Sequence, residues 1–150
     1  MNESVSNAMV LTIVIIVIGV SCGITLFSLG YSKTYKIKNK IIDIIEKHGT
    51  YNDGDVRDEI EEYLRSANYS SEANYTGGDG ACPAMDGVAA VNKLRNYRYC
   101  IYRHQTVKGD YYTVKAYQTY NFPLIGDIIK VRYSITGDTQ VLLELQPKST

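Results

Sequence analysis

The sequence predicts an α+β protein in which an N-terminal transmembrane helix extends into a soluble domain with a four-stranded antiparallel sheet. Three observations support this fold class: a long uncharged apolar run near the N-terminus, helix-patterned segments directly after it, and alternating apolar and polar residues in the C-terminal half. We expect a short N-terminal tail over residues 1–7, the transmembrane helix over 8–31 and a single domain over 32–150.

The apolar run over residues 8–31 contains neither a charged side chain nor a proline. About 20 apolar residues, each rising 1.5 Å, are enough to cross the hydrocarbon layer of a bilayer. A core helix is seldom apolar on all sides for this length, and a cleavable signal normally has basic residues before a shorter apolar run. We therefore expect a retained single-pass helix in the cell membrane, with membrane lipid as its partner.

The helix is expected to continue beyond the membrane, because neither proline nor glycine interrupts residues 32–48. One side of this helix carries a stripe of apolar residues, the isoleucine stripe, which consists of Ile37, Ile41, Ile44 and Ile45. Lys38 is assigned to the opposite side. A second helix is expected over residues 55–66, followed by a turn-rich surface loop over 67–87.

Four strands are expected in the C-terminal half, over residues 98–104, 110–120, 128–136 and 139–145. Alternation along the third strand predicts one apolar face made of Ile129, Val131, Tyr133 and Ile135. Gly137 and Asp138 are expected to form a two-residue hairpin turn into the fourth strand. Because a small sheet with one bare apolar face is unstable alone, we expect the isoleucine stripe to dock on this face.

The sequence gives no support for an enzyme. It contains no glycine-rich phosphate loop, nucleophile elbow or paired-cysteine motif, and its two histidines stand apart from other metal-ligating residue types. We therefore expect no catalytic residue, no cofactor and no metal. Basic and acidic residues number 16 each, so the net charge does not favour a polyanionic partner, and we expect no binding of nucleic acid. The sequence does not identify a small-molecule ligand.

Cys82 and Cys100 are the two cysteines outside the apolar run, and we expect them to form a disulfide. They lie 18 residues apart, across the least regular part of the sequence. In the chain-entropy model, closing a loop of this size contributes about 3 kcal/mol. Two separate reduced thiols are the alternative. A disulfide implies an oxidising compartment.

Two arguments disagree about the side of the membrane on which the domain lies. Four lysines fall within residues 31–40, directly after the apolar run, and the positive-inside rule would leave the domain in the cytoplasm. The cysteine pair and a composition rich in tyrosine, asparagine and serine favour the outside. We expect an extracytoplasmic domain, because the rule weakens where the basic segment belongs to a helix that continues out of the membrane.

The predicted layout resembles that of type IV pilins. Residues 120–142, YNFPLIGDIIKVRYSITGDTQVL, are similar to the C-terminal part of TadE-like pilus-assembly proteins, in which a strand, a proline-containing turn and a hairpin follow one another. Residues 38–53, KNKIIDIIEKHGTYND, also look like small membrane-anchored proteins of this kind from Gram-positive bacteria. The chain lacks a prepilin cleavage site and a glutamate near the start of the apolar run.

The resemblance implies a pilin-like fold and a structural role as a component of a surface filament or of its assembly machinery. Other pilus or secretion-system membrane proteins would then be the partners. The alternative function is a membrane-anchored extracytoplasmic domain that binds or senses a ligand, with the tyrosine-rich sheet as its binding face.

Overall fold

The computed structural model describes residues 2–69, 82–92, 98–121 and 130–143. Its elements are α1 (Asn2–His48), α2 (Gly54–Ser66), β1 (Tyr99–Thr106), β2 (Gly109–Asn121) and β3 (Lys130–Asp138). The strands form one antiparallel sheet in the order β1-β2-β3. The α+β class with a long N-terminal helix is confirmed. The expectation of four strands is wrong, because the sheet has three over the described residues.

α1 is a single helix of 47 residues, so the segments expected to form a membrane helix and a soluble helix are continuous. No proline interrupts it. It ends at His48 because Gly49 takes a left-handed φ of +72°, while its amide still donates to the Ile45 carbonyl at 2.8 Å. Its residues 8–31 are apolar on all sides, and its part beyond them is amphipathic.

α2 is a short amphipathic helix that packs against α1. It begins after Asp53, whose side chain accepts a hydrogen bond from the Asp55 amide at 3.3 Å and so satisfies one of the first unpaired amides. Its buried face consists of Val56, Ile60 and Leu64. Most of the surface loop expected over residues 67–87 lies outside the described residues.

Polar contacts join α2 to α1 at two levels. In the first half of α2, Glu59 pairs with Lys47 at 3.1 Å and with His48 at 2.8 Å, close to the end of α1. Beyond the end of α2, the Lys33 ammonium donates to the Asn68 carbonyl at 3.0 Å. The two helices therefore run antiparallel, and α2 returns towards the apolar half of α1.

The isoleucine stripe packs on one face of the sheet, as expected, and each of its members is at most 1% exposed. Its main partners in β1 and β2 are Tyr99, Ile101, Tyr112 and Val114. The strand register places Tyr133 and Ile135 of β3 on this same face. Ile129 and the side chain of Val131, which were also expected there, lie outside the described part of the structure.

The expected hairpin turn at Gly137 and Asp138 is wrong. Both residues belong to β3 and pair with Val114 and Thr113 of β2. Gly137 does not have the positive φ that the first position of such a turn requires. Beyond β3 the chain continues irregularly along β2, joined to it by one isolated bridge, and does not form a fourth strand over the described residues.

Side chains of α1 lie close to Gly137. A Cβ atom there would lie 2.6 Å from Nζ and 2.7 Å from Cδ of Lys38, and 3.1 Å from Cδ1 of Ile42. Real Cβ atoms do not tolerate the first two distances, so the flexible end of the Lys38 side chain would have to shift. The glycine therefore leaves room for the Lys38 side chain over β3, whereas local sequence had indicated a turn.

The assignment of Lys38 to the opposite side of α1 is also wrong. Its side chain is only 8% exposed and runs across Gly137. The ammonium lies 4.7 Å from the centre of the Tyr35 ring. Lysine can bury its methylene stem against apolar surface while its charge stays near water, and position 38 borders the isoleucine stripe. A lysine next to an apolar stripe can therefore be part of the packed face of a helix.

We predict that Lys38→Ala destabilises the domain by about 1–2 kcal/mol, because it removes the buried methylene stem. Lys38→Met, which keeps an unbranched apolar chain, should cost less than half as much. The measurement is thermal unfolding of the full chain in micelles, followed by the near-ultraviolet signal of its tyrosines. Lys108→Ala, at an exposed hairpin position, is the control. Equal melting of the two alanine variants would restore the assignment of Lys38 to the solvent side.

Candidate functional site

The first half of α1 is an exposed apolar helix. Its large apolar side chains from Met9 to Phe27 are 42–68% exposed. Among the described residues it is the one helix long and apolar enough to cross a membrane, and none of its most apolar window is buried. A core helix of similar length would be mostly buried, so this exposure argues against that interpretation. A signal sequence near the N-terminus passes the same test of length and composition.

The sheet meets α1 where the apolar run ends. The centre of the Tyr133 ring lies 5.4 Å from that of Phe27 and 6.2 Å from that of Tyr31. The Tyr133 hydroxyl lies 3.4 Å from Oγ1 of Thr34, which is fully buried. We call Phe27, Tyr31, Thr34 and Tyr133 the junction. The domain therefore contacts α1 before the apolar run is complete, and no linker separates the two.

Tyrosine and lysine side chains surround α1 from Tyr31 onwards. Tyr31 and Tyr35 are 49% and 47% exposed, and Lys33 and Lys36 are exposed as well. Tyrosine rings concentrate where lipid tails meet water, because one end of the ring is apolar and the other is wet. Lysine extends its ammonium to the headgroups while its stem stays in apolar surroundings. These residue types match a boundary between lipid and water.

The length of the exposed run matches the thickness of a bilayer. Residues 12–31, which end at Tyr31 of the junction, provide 20 helical positions. At 1.5 Å per residue they span about 30 Å, which equals the usual thickness of the hydrocarbon layer. The geometry can therefore hold the domain directly on a membrane surface, with the junction at the boundary.

A segment over residues 82–92 lies on the sheet face opposite α1. The structure places Cys82 and Cys100 at disulfide-bonding distance, with their Cα atoms 5.8 Å apart, so it brings together the two cysteines singled out from the sequence. The Tyr102 hydroxyl donates to the Pro83 carbonyl at 2.7 Å. Apolar residues of the segment that pack against this face are Met85, Val88 and Ala90.

Asn92 protects the outer edge of β1, a role that the sequence did not indicate. Its buried side chain accepts from the Ile101 amide at 2.8 Å and donates to the Tyr99 carbonyl at 2.7 Å. The Val91 amide also donates to the Ile101 carbonyl at 2.7 Å. These bonds satisfy edge groups that would otherwise be open to another strand. An asparagine before a strand is too common in loops to predict this contact.

The buried tyrosines of the interior act as packed hydrogen-bond donors. Burial raises the pKa of Tyr51, Tyr69 and Tyr99 above the ordinary tyrosine value, so these phenols stay neutral at physiological pH. The Tyr99 hydroxyl donates to Glu61 at 3.3 Å, and the Tyr69 hydroxyl donates to the Tyr117 carbonyl. Over the described ranges, no group of three or more histidine, cysteine, aspartate or glutamate residues comes together to hold a metal ion.

We predict that mass spectrometry of the non-reduced protein recovers Cys82 and Cys100 as a linked pair of peptides. Cys82→Ser with Cys100→Ser should lower the free energy of unfolding by about 3 kcal/mol in urea, because the unfolded chain regains the entropy of an open loop. Cys22→Ser, at an exposed position in the apolar run, is the control and should leave stability unchanged. Free thiols at both positions in freshly isolated protein would contradict the pairing.

Comparison with protein-family models, with curated proteins and with solved structures finds no match to this chain. The functional interpretation therefore depends on the geometry of α1, the junction and the cysteine pair.

Proposed function

We propose that the protein is a single-pass membrane-anchored structural subunit, in which α1 is both the membrane anchor and the central helix of the domain. The observation that carries this proposal is the junction, where Tyr133 of the sheet contacts Phe27 inside the apolar run. Because the same unbroken helix then enters the core, the domain has a fixed orientation relative to its anchor. A fixed orientation suits a subunit of an assembly better than it suits a domain on a flexible tether.

The exposed half of α1 supports association with other membrane proteins as well as with lipid. It carries most of the exposed large apolar side chains among the described residues, whereas the face of the sheet towards α1 is covered. We infer that copies or relatives of the protein pack along this helix, as components of a surface filament or of its assembly machinery. The resemblance to type IV pilins and TadE-like proteins supports the same assignment.

The cysteine pair supports an extracytoplasmic position for the domain, because disulfides persist in oxidising compartments. The lysines after the apolar run favour the opposite orientation under the positive-inside rule. One of them, Lys38, is buried against the sheet and belongs to the folded domain, which reduces its weight as a topological signal.

A second candidate function is an extracytoplasmic domain that binds or senses a ligand. The observation that favours it is a cationic and aromatic cluster on the sheet face away from α1. The Arg132 guanidinium lies 4.4 Å from the centre of the Tyr117 ring, and the Lys115 ammonium lies 5.6 Å from it. Two cations beside one ring can receive an anionic group.

The anchor is tested by expressing the full chain and extracting isolated membranes with alkaline carbonate. The wild type should stay in the membrane, and Val17→Lys with Ile18→Lys should be released, because each charge near the centre of a span costs about 2.5–3.5 kcal/mol. Val107→Lys is the control, because Val107 is fully exposed in the domain. Protease added to intact protoplasts should digest the domain.

The same membranes, treated with an amine-reactive cross-linker, distinguish the two candidate functions. A structural subunit should give a ladder of oligomers, whereas a solitary binding domain should stay monomeric. Release of the wild type by carbonate, or an intact mass that lacks the apolar run, would contradict a retained anchor. Full protection of the domain from protease would place it in the cytoplasm.

A further inference from the structure

The first two lysines after Tyr31, Lys33 and Lys36, have no carboxylate partner among the described residues. The next acidic residue along α1 is Asp43, and it pairs with Lys40 at 2.8 Å. The Lys33 ammonium donates to the Asn68 carbonyl, which is uncharged, and Lys36 is exposed. This end of the domain therefore presents two positive charges that no described carboxylate neutralises.

Both lysines lie at the depth of a headgroup layer when the hydrocarbon ends at Tyr31. Along α1, Lys33 is about 3 Å and Lys36 about 7–8 Å beyond Tyr31, at 1.5 Å per residue. The polar layer on each side of a bilayer is about 5–8 Å thick. Tyr31 and Tyr35, each about half exposed, lie at the inner and outer limits of the same layer.

We propose that Lys33, Lys36, Tyr31 and Tyr35 form a collar that binds anionic phospholipid headgroups. This inference rests on the proposed membrane anchor and adds the class of lipid that the anchor prefers. Two ammonium groups without carboxylates complement a phosphate that carries net negative charge, whereas a zwitterionic headgroup brings its own cation. The tyrosine rings supply apolar contact beside the phosphates and hydroxyls that can donate to them.

Lys33 couples this collar to the folded domain. Its ammonium holds the carbonyl of Asn68, directly after α2, so the end of α2 lies beside the lipid surface. A phosphate bound at Lys33 would therefore contact the part of the domain closest to the junction. Headgroup binding at this collar therefore fixes the height of the domain above the membrane.

The experiment purifies the full chain from mixed micelles that contain equimolar phosphatidylcholine and phosphatidylglycerol, and measures the retained lipids by mass spectrometry. The wild type should retain phosphatidylglycerol over phosphatidylcholine by about twofold or more. Lys33→Gln with Lys36→Gln should bring the ratio back to that of the bulk. Lys36→Gln alone, at an exposed side chain, should reduce the enrichment without disturbing the Lys33 contact. Lys108→Gln, an equal change of charge at an exposed hairpin position, should leave it intact.

Equal retention of the two lipids by the wild type would overturn the collar. The collar would also be overturned if phosphatidylglycerol enrichment survived in the double variant. An equal loss of enrichment in Lys108→Gln and Lys36→Gln would overturn it too. Circular dichroism of each variant verifies that the domain is folded before its lipids are counted. Failure of the protein to enter neutral phosphatidylcholine vesicles would instead contradict the membrane anchor, so the two proposals fail in different ways.

Discussion

Burial of the isoleucine stripe of α1 against the sheet is the interaction on which the rest of the structure depends. The four isoleucines are completely enclosed, together with Tyr99, Ile101, Tyr112 and Val114 of β1 and β2. Burying an aliphatic side chain of this size contributes about 1.5–3 kcal/mol, so this contact accounts for a large share of the stability of a small domain. A three-stranded sheet without α1 would expose this whole face to water.

This packing also determines how the apolar half of the chain is presented. Because the docked half and the exposed half belong to one helix, the sheet fixes the direction in which the apolar half leaves the domain. The contact between Tyr133 and Phe27 extends the docked region into the apolar run, so there is no flexible connection at which the domain can turn. The position of the junction leaves about 30 Å of helix for the hydrocarbon layer.

The features that the sequence predicted are those with a repeating pattern. The spacing of Ile37, Ile41, Ile44 and Ile45 predicted a docked face, and the apolar run predicted a long exposed helix. Cys82 and Cys100 were paired because they are the only two cysteines outside the apolar run. The stripe and the apolar run repeat one residue type at regular positions, and cysteine is scarce in this chain. Both conditions leave few alternative structures that fit the sequence.

The features that the sequence missed depend on contacts between residues distant in the chain. Gly137 followed by aspartate has the local chemistry of a hairpin turn, yet it lies within β3 and leaves room there for the Lys38 side chain of α1, and only the tertiary structure contains that information. Lys38 is charged at its tip but packs through its methylene stem. A hydrophobicity scale that treats the whole residue as charged therefore assigns it to the wrong side of α1. The side chain of Asn92 makes hydrogen bonds at the edge of β1 that a neighbouring strand would otherwise make. A single side chain in this role leaves no repeating pattern in the sequence.

The central claim is that α1 is one rigid helix from the apolar run to the core. Its most direct test is the distance between spin labels at Val17→Cys in the exposed half and Thr136→Cys on the solvent side of β3, in a Cys22→Ser background in lipid nanodiscs. A rigid helix predicts a single narrow distribution of distances, because the junction leaves no point of rotation. A broad or bimodal distribution would contradict the account, since it would mean that the domain moves independently of the apolar helix.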